Sequence, residues 1–380
     1  MKVLYHHRTV AADGQLVHIL ELTRELEAAG HEVIFVGPGE RRRDVAASAD
    51  SAAIRRRLPG ALYELMELAY SFPAFLRLWR AWRRHKPDIL YERYNLFFLA
   101  GLWLKRLTGI PMLLEVNAPL AEERERFGGL SLRRLARWSQ HSVWRGADRV
   151  LPVTGVLAAH VEKAGVPAER ISVIHNGVGV DFLQHEPASR TFPWSGALVL
   201  GFTGFVRDWH GLDRVVQFLA DAAPADAQLV VVGDGPARPG LEALAEKRGV
   251  IDRVHFTGVV GRADVPDHVA SFDIALQPAV VPYASPLKLF EYMAMSRCIV
   301  APMEQNVCEV LTDGQDALLF DQPRPDGLAE ALRQACESAS LRCRLGAGAR
   351  QTLMDRGYLW SRNAARVADL GQGLLKERRQ

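Results

Sequence analysis

The first half of the chain alternates between short apolar runs and longer segments whose apolar residues fall at helical spacing. Residues 2–7 and 31–37 have the length and composition of buried strands, and residues 14–30 between them follow a helical pattern that ends at Gly30. A strand, a glycine turn, a helix and a second strand in this order predict a βαβ unit with parallel strands. Further strands of this half are predicted at 88–93, 111–116, 149–154 and 171–177.

The pattern stops at 184–196, a mostly polar segment with two prolines that indicates a linker. It then restarts, and the sequence predicts two successive α/β domains, 1–188 and 189–359, each a Rossmann-like doubly wound parallel sheet. Because ligands of such sheets bind beyond the carboxyl ends of the strands, two facing domains would form a cleft lined by residues that follow strands. The strands predicted for the second domain are 197–204, 227–235, 253–260, 273–279 and 298–302, with a helix at 286–295.

Composition agrees with this division, since 380 residues exceed one ordinary core and suit two domains. The four cysteines include no C-x-x-C pair, which argues against a zinc site and against a disulfide framework. The sequence shows no signal peptide and no apolar run long enough to span a bilayer. We therefore expect a cytoplasmic protein.

The segment 283–294, YASPLKLFEYMA, predicts a helix with an anion site at its start. Ser285 is a favoured N-cap and proline is favoured at the first helical position, so the N–H groups of Leu287 and Lys288 would be free to bind a ligand. A lysine in the first turn opposes the helix dipole at a cost of ~0.3–1 kcal/mol, which a bound phosphate would offset. Glu291, one turn later, could accept hydrogen bonds from ligand hydroxyls. The alternative is an ordinary capped helix with a Lys–Glu surface pair.

Glycine turns after other strands of the second domain would bring backbone groups to the same edge. Residues 201–211 place Gly204, Arg207 and His210 after one strand, and arginine suits bidentate contact with phosphate. Gly235 follows the next strand, and Val259 follows a third, where backbone groups could meet a planar base. Each of these glycine turns is common in proteins, so none of them alone predicts a binding site.

In the first domain the candidate residues also follow strands. Gly14 and Gln15, next to Asp13, are expected to face the cleft, and a plain βα turn is the alternative. Asn117 could bind ligand hydroxyls, with a structural turn as the alternative. Glu92 is a further candidate for a ligand contact, with a surface ion pair to Arg93 as its alternative.

Charge is unevenly distributed along the first domain, with 14 Lys and Arg against 6 Asp and Glu between Arg41 and Arg106. The segment 72–88 interleaves aromatic and aliphatic residues with arginines and predicts a basic amphipathic helix on an anionic membrane surface. Arg41–Arg43 and Arg55–Arg57 add charge to the same domain. The alternative is a helix packed on the sheet with solvated arginines. Nucleic acid is not expected as a partner, since no recognised binding module accompanies the charge.

Many short motifs occur in one order along the chain, and together they resemble the retaining GT-B glycosyltransferases, family 4-like, which carry an E-x7-E motif. Three positions depart from that pattern: Tyr283 stands where the first glutamate is expected, His210 where a lysine is usual, and Phe205 where an arginine is usual. The segments that carry the resemblance are 13–33, 171–183, 201–211, 230–236, 254–260, 285–302, 308–320 and 358–370.

The resemblance implies a hexosyltransferase that moves a sugar from a nucleoside diphosphate sugar to a hydroxyl of a glycan or lipid-linked acceptor, in polysaccharide or glycolipid biosynthesis. Arg207 and Lys288 would stabilise the leaving phosphate with the Ser285 helix start and the Gly14 loop. Glu291 would hold the ribose, Asn117 would bind hydroxyls of the donor or the acceptor, and Glu92 would lie on the acceptor side. The sequence has no D-x-D, so the expected transfer uses no metal and no cofactor. The helix at 360–380 is expected to cross back to the first domain.

Three other functions compete with transfer. A non-catalytic sugar-nucleotide-binding protein is favoured by the missing first glutamate, and a sugar-nucleotide epimerase shares the architecture. A nicotinamide enzyme is disfavoured, because the first glycine loop has one glycine where G-x-G-x-x-G needs three.

Overall fold

The computed structural model describes residues 1–9, 14–37, 58–127, 129–185, 192, 194 and 196–378. These residues form two compact units. The first unit combines Met1–His175 with Trp360–Gln380, and the second is Asn176–Leu359.

The first unit is built on a parallel sheet of five strands in the order β2-β1-β3-β4-β5. This is the flavodoxin-like order, in which the chain reverses direction across the sheet between β1 and β3. Strands β3 and β4 are buried along their whole length, as expected for a sheet covered by helices on both faces. The strands are β1 Lys2–His6, β2 Glu32–Val36, β3 Ile89–Arg93, β4 Met112–Val116 and β5 Arg149–Pro152.

Helices cover both faces of this sheet and connect its strands. The last helix of the chain belongs to this unit and packs against the first helix, where Trp360 lies 4.7 Å from His18 between ring centroids. The helices are α1 Gly14–Ala28, α2 Gly60–Ala69, α3 Ser71–His85, α4 Ala100–Thr108, α5 Leu120–Phe127, α6 Arg133–Gly146, α7 Gly155–Lys163 and α16 Trp360–Glu377.

The second unit is built on a parallel sheet of six strands in the order β11-β10-β9-β6-β7-β8. Counted from β6, this is the Rossmann order, and the chain reverses between β6 and β9. The strands are β6 Val199–Thr203, β7 Gln228–Val232, β8 Val254–Gly258, β9 Ile274–Leu276, β10 Cys298–Pro302 and β11 Leu318–Phe320. The helices are α8 Val180–Leu183, α9 Leu212–Asp221, α10 Arg238–Lys247, α11 Val265–Ala270, α12 Leu287–Ala294, α13 Gln305–Cys308, α14 Gly327–Glu337 and α15 Ala339–Arg356.

Two predicted features differ from the structure. Residues 171–177 form a single bridge, between Ile171 and Val150, instead of a strand. The units divide between His175 and Asn176, and not at 188, because Val178 pairs with Leu359 and Phe182 packs in the core of the second unit. Most of the predicted linker at 184–196 lies outside the described residues.

Candidate functional site

Two glycine loops interlock at the carboxyl ends of β6 and β7, beside the point where the second sheet reverses. The Gly204 N–H donates to the Val232 carbonyl at 2.9 Å, and the Val206 N–H donates to the Asp234 carbonyl at 2.9 Å. A Cβ at Gly235 would lie 2.2 Å from the Val206 carbonyl oxygen, so no side chain fits there. The predicted residues Gly204 and Gly235 therefore belong to one closely packed backbone surface.

Lys288 reaches the first of these loops from helix α12. A Cβ built on Gly204, whose φ is +123°, would lie 3.4 Å from Lys288 Nζ. The ammonium group also lies 3.4 Å from the centroid of the Phe202 ring, a cation–π contact. Burial lowers the pKa of Lys288 to about 7, although the Glu291 carboxylate opposes the shift. The structure thus holds a poorly hydrated cation directly beside a glycine turn.

His210 is buried next to this cation and is neutral. Its Nδ1 accepts the backbone N–H of Arg207 at 3.2 Å, so the ring proton is on Nε2. Burial, together with the charges of Lys288 and Arg207, lowers the pKa of His210 to about 2. The exposed Arg207 guanidinium lies 4.8 Å from the Phe205 ring centroid. His210 can donate one hydrogen bond here, and the positive charge comes from Lys288 and Arg207.

Glu291 has a partner that the sequence analysis missed. Its buried carboxylate accepts from Arg262 at 2.5 Å between Oε1 and Nη1. Arg262 also lies over the Phe182 ring, 5.0 Å from its centroid. The two residues of the ion pair are 29 positions apart on different elements, and no sequence periodicity relates them.

The start of α12 differs from its prediction by one residue. The helix begins at Leu287 with Pro286 at the N-cap position, and Pro286 makes no side-chain capping bond. Ser285 is instead fixed by Asn176, whose N–H donates to the Ser285 hydroxyl at 3.3 Å and whose Nδ2 donates to the Ser285 carbonyl at 2.7 Å. The proposed capping role of Ser285 is therefore wrong, because its hydroxyl is bonded to another loop.

The loop before α12, which contains Tyr283, is held by buried carboxamides. Asn306 Nδ2 donates to the carbonyls of Val281 and Ala284 at 3.1 and 2.6 Å. Gln277 Nε2 donates to the Ala279 carbonyl at 2.5 Å. These bonds fix the backbone that places the half-buried Tyr283 one turn ahead of α12.

Val259 lies on the loop after β8. Its side chain is 87% exposed, and Gly258 before it has a φ of +70°. The loop therefore presents backbone and one apolar side chain to solvent, and it leads directly into the segment that carries Arg262.

In the first unit Glu92 is not on the acceptor-side surface where it was predicted. Its side chain is buried and pairs with the buried His6, with 2.5 Å between Oε2 and Nδ1. The same carboxylate fills the space beside Gly101, since a Cβ built on Gly101 would lie 2.1 Å from Glu92 Oε2. The alternative surface pair with Arg93 is wrong too, because Arg93 is buried and its partner is Glu115.

Glu115, at the end of β4, is the centre of a buried polar cluster. It accepts from Arg93, from Tyr91 at 2.8 Å and from Asn117 at 2.5 Å, and it pairs with His18 at 3.1 Å. Burial alone would raise its pKa, but Arg93 and His18 hold the pKa of Glu115 well below its usual range. The amide of Asn117, a predicted ligand of donor or acceptor, is therefore used within the protein.

Gly14 and Gln15 are the first two residues of α1 and are exposed. The Thr9 hydroxyl donates to Gln15 Oε1 at 3.4 Å. Because α1 follows β1, these residues lie at the edge where the first sheet reverses. Asp13 lies outside the described residues, as do Arg41–Arg43 and Arg55–Arg57.

Neither a metal-binding group nor a membrane-spanning helix occurs among the described residues. No group of three or more His, Cys, Asp or Glu among them could hold a metal ion. In the same part of the chain, no helix combines the length and the apolarity that crossing a bilayer requires.

Known protein families match both halves of the chain. The profile named Glycosyltransferase Family 4 matches residues 12–182, and the profile named Glycosyl transferases group 1 matches residues 197–338. A GDP-mannose-dependent alpha-mannosyltransferase of Mycolicibacterium smegmatis is 27% identical over 91% of this chain and 90% of its own. A 2-deoxystreptamine N-acetyl-D-glucosaminyltransferase of Streptomyces fradiae is 29% identical over 72% of this chain and 73% of its own.

Solved structures resemble the whole chain. Anabaena Alr3699/HepE in complex with UDP and glucose covers 98% of this chain and 100% of its own, with a TM-score of 0.76 and 15% identity. A sucrose-phosphate synthase of Thermosynechococcus elongatus covers 99% of this chain and 100% of its own, with a TM-score of 0.79 and 15% identity. At these identities the likeness concerns the fold.

Proposed function

Because the chain belongs to the glycosyltransferases, family 4-like in its first half and group 1 in its second, we propose that it transfers a hexose from a nucleoside diphosphate sugar to an acceptor hydroxyl with retention of configuration. The predicted GT-B fold of two doubly wound parallel-sheet domains is confirmed by the structural neighbours. The identity of the donor, the retention of configuration and the identity of the acceptor are what we propose beyond the family.

One observation carries the proposal: Lys288 and Arg207 lie with the glycine loops at the reversal point of the second sheet. Ligands of Rossmann sheets bind at this point, and a diphosphate needs both cations and close backbone approach. A structural neighbour carries UDP and glucose in its crystal structure, which supports a nucleotide sugar as the donor.

In the proposed reaction, negative charge develops on the leaving diphosphate as its bond to the sugar breaks. Lys288 would stabilise that charge from its position beside Gly204. Arg207, whose side chain is exposed to solvent, would stabilise it as well. The neutral His210 ring would donate a hydrogen bond from its Nε2–H group to the diphosphate. Since two side chains supply the positive charge, we propose that transfer requires no metal ion, with the leaving phosphate accepting the acceptor proton.

Glu291 would bind the ribose hydroxyls through its carboxylate. Arg262 bonds to one oxygen, Oε1, and would keep the carboxylate oriented while a ribose hydroxyl donates to it. Tyr283 stands where the family pattern expects a donor-sugar carboxylate, so we propose that its phenol, a neutral group, faces the sugar.

For the acceptor we propose a glycan or a lipid-linked sugar, in polysaccharide or glycolipid biosynthesis. The proposed setting is the cytoplasm, and all four cysteines are free thiols, which supports a reducing compartment.

The test is turnover with a panel of nucleoside diphosphate sugars and glycan or lipid-linked acceptors. Transfer predicts release of free nucleoside diphosphate and an α-linked product from an α-linked donor, observed by NMR. A second candidate, a non-catalytic sugar-nucleotide-binding protein, is favoured by Tyr283 at the position of the missing glutamate. Binding by calorimetry without release of nucleotide would favour that candidate, and donor sugar with one inverted carbon would favour an epimerase.

A further inference from the structure

Helix α2 in the first unit turns two glutamates inward and three large apolar side chains outward. Glu64 and Glu67 are only 3% and 6% exposed, whereas Leu62, Leu65 and Met66 are 46%, 49% and 48% exposed. Residues at spacings of three and four share a helix face, so the three apolar side chains form one stripe. This arrangement is the reverse of a surface helix in a soluble protein.

Specific bonds hold the helix in this orientation. The Glu64 carboxylate accepts the N–H groups of Ser131 and Leu132 at 2.8 and 2.6 Å, directly before helix α6. The Glu67 carboxylate accepts both terminal nitrogens of Arg124, at 2.5 and 2.8 Å. Because both buried carboxylates are bonded, the helix cannot rotate its apolar stripe inward without breaking these bonds.

Helix α3 follows at once and extends the surface with positive charge. Phe72, at its start, is 61% exposed and continues the apolar side chains of α2. The exposed charged side chains of residues 58–86 are all cations, since both acidic residues of the segment are the buried Glu64 and Glu67. The exposed cations are Arg77, Arg80, Arg83, Arg84 and Lys86.

The prediction for 72–88 assigned both the apolar and the basic contacts to that one segment. In the structure Phe75, Trp79 and Trp82 instead pack partly buried against the core, so α3 offers solvent mainly its arginines. The apolar contact surface comes from α2 and Phe72.

We propose that the α2–α3 hairpin, residues 60–85, docks on an anionic lipid bilayer. Leucine, methionine and phenylalanine side chains would enter the headgroup boundary while the arginines contact anionic headgroups. A second copy of the chain is a poorer occupant, since two such faces would bring like-charged arginines together. The proposed docking surface consists only of residues of the first unit, and docking does not depend on the transfer reaction.

The experiment is flotation of the full chain with vesicles of phosphatidylcholine, with and without 30% phosphatidylglycerol, in the absence of any sugar donor. We expect binding to the anionic vesicles only, weakened by salt. The double variant R80Q/R84Q should weaken binding about 25-fold, at about fivefold per arginine near the surface. The double variant L65Q/M66Q should weaken it about tenfold or more, because apolar burial in the headgroup boundary is lost.

Matched variants control for charge and for polarity. R362Q/R366Q removes two exposed arginines at the same spacing from helix α16, and M354Q replaces a 45% exposed methionine in the second unit. Both controls should bind like the unmodified chain, and all variants should show its circular dichroism spectrum. Equal binding to neutral and anionic vesicles, or equal losses in the controls, would overturn the proposal. So would a dimer in sedimentation velocity that M66Q dissociates, since that result assigns the surface to a second copy.

Discussion

In the first unit Glu92 and Glu115, at the ends of two strands, are buried and paired with neighbouring side chains, whereas in the second unit Lys288 and Arg207, two cations near strand ends, lie on aromatic rings. Glu115 gathers Arg93 and His18 into a closed cluster, and Glu92 pairs with His6. Lys288 and Arg207 lie instead over Phe202 and Phe205. The same kind of sheet edge therefore holds a closed ion-pair cluster in one unit and the cations of the proposed ligand site in the other.

The comparison predicts the largest loss of stability from a change in the first unit. Glu115→Ala should lower the free energy of unfolding by about 3–5 kcal/mol, because it leaves the buried Arg93 without its carboxylate. Urea unfolding followed by circular dichroism measures the change. Because the folded pKa of Glu115 is depressed, its stabilisation is present above the usual carboxyl pKa and is lost as the pH falls below it.

Glu125→Ala is the matched control for that prediction. Glu125 also pairs with two arginines, Arg133 and Arg137, but both guanidinium groups are exposed to solvent, so its removal should change the free energy of unfolding far less. Equal losses of unfolding free energy in the two variants would mean that the buried cluster contributes no more to stability than surface ion pairs do. The contrast drawn between the two units would then be wrong.

The largest effect on activity is expected in the second unit. Lys288→Met should lower kcat about 10²- to 10³-fold, because a positioned cation at the leaving diphosphate is lost. Its thermal stability should be unchanged or higher, since the variant removes a partly desolvated charge. Lys247→Met, at an exposed position of α10, should keep full activity. Retained activity of the Lys288→Met variant would contradict this prediction and show that the lysine has only a structural role.

Glu291→Gln should weaken nucleoside diphosphate binding about 10- to 100-fold, since hydrogen bonds to a charged group contribute about 1.5–3 kcal/mol. Calorimetry with a 2′,3′-dideoxy nucleoside diphosphate separates the roles, because that ligand should bind the variant and the unmodified chain alike. A loss of the same size with the dideoxy ligand would show that Glu291 does not contact the ribose.

Arg262→Gln should weaken the same binding less, about two- to tenfold, because a single positioning hydrogen bond to Glu291 is lost. The effect should disappear in the Glu291→Gln background, which calorimetry of the double variant measures. Tighter binding by Arg262→Gln would instead show that the arginine competes with the ribose.

The last prediction concerns the pH dependence of ligand binding. Because the pKa of Lys288 is about 7 in the unliganded chain, binding a diphosphate above that pH takes up a proton. Affinity for an intact nucleoside diphosphate sugar should therefore fall up to about tenfold per pH unit between pH 7 and 9. Lys288→Arg should bind with little pH dependence in this range, since arginine stays charged. Calorimetry in buffers of different ionisation enthalpy counts the protons, and no uptake by the unmodified chain would contradict the assignment.

Most strands could be predicted because buried parallel strands are short apolar runs bounded by glycine turns. The predictions for 88–93 and 111–116 match β3 and β4 to within a residue at their starts. The run at 171–177 has the same composition but makes a single bridge, since backbone pairing depends on what lies beside it. The short strand β11, Leu318–Phe320, was not predicted, because three apolar residues carry too little pattern.

The grouping of residues in the candidate site was predictable where it consists of glycine turns and cations near strand ends, as at Gly204 and Lys288. It was not predictable where a partner comes from a distant element. Arg262 for Glu291 and His6 for Glu92 are such partners, and the second pair turns a candidate acceptor residue into a buried structural one. The outward apolar face of α2 depends in the same way on Ser131 and Arg124.

The return of α16 to the first unit makes that unit discontinuous along the chain. During translation, all of Asn176–Leu359 is synthesised before Trp360, so the second unit separates α16 in time from the rest of the first unit. Until α16 is made, His18 lacks its aromatic neighbour, and the face of α1 that α16 covers stays open. The order of synthesis therefore makes the packing of α16 the last step in completing the first unit.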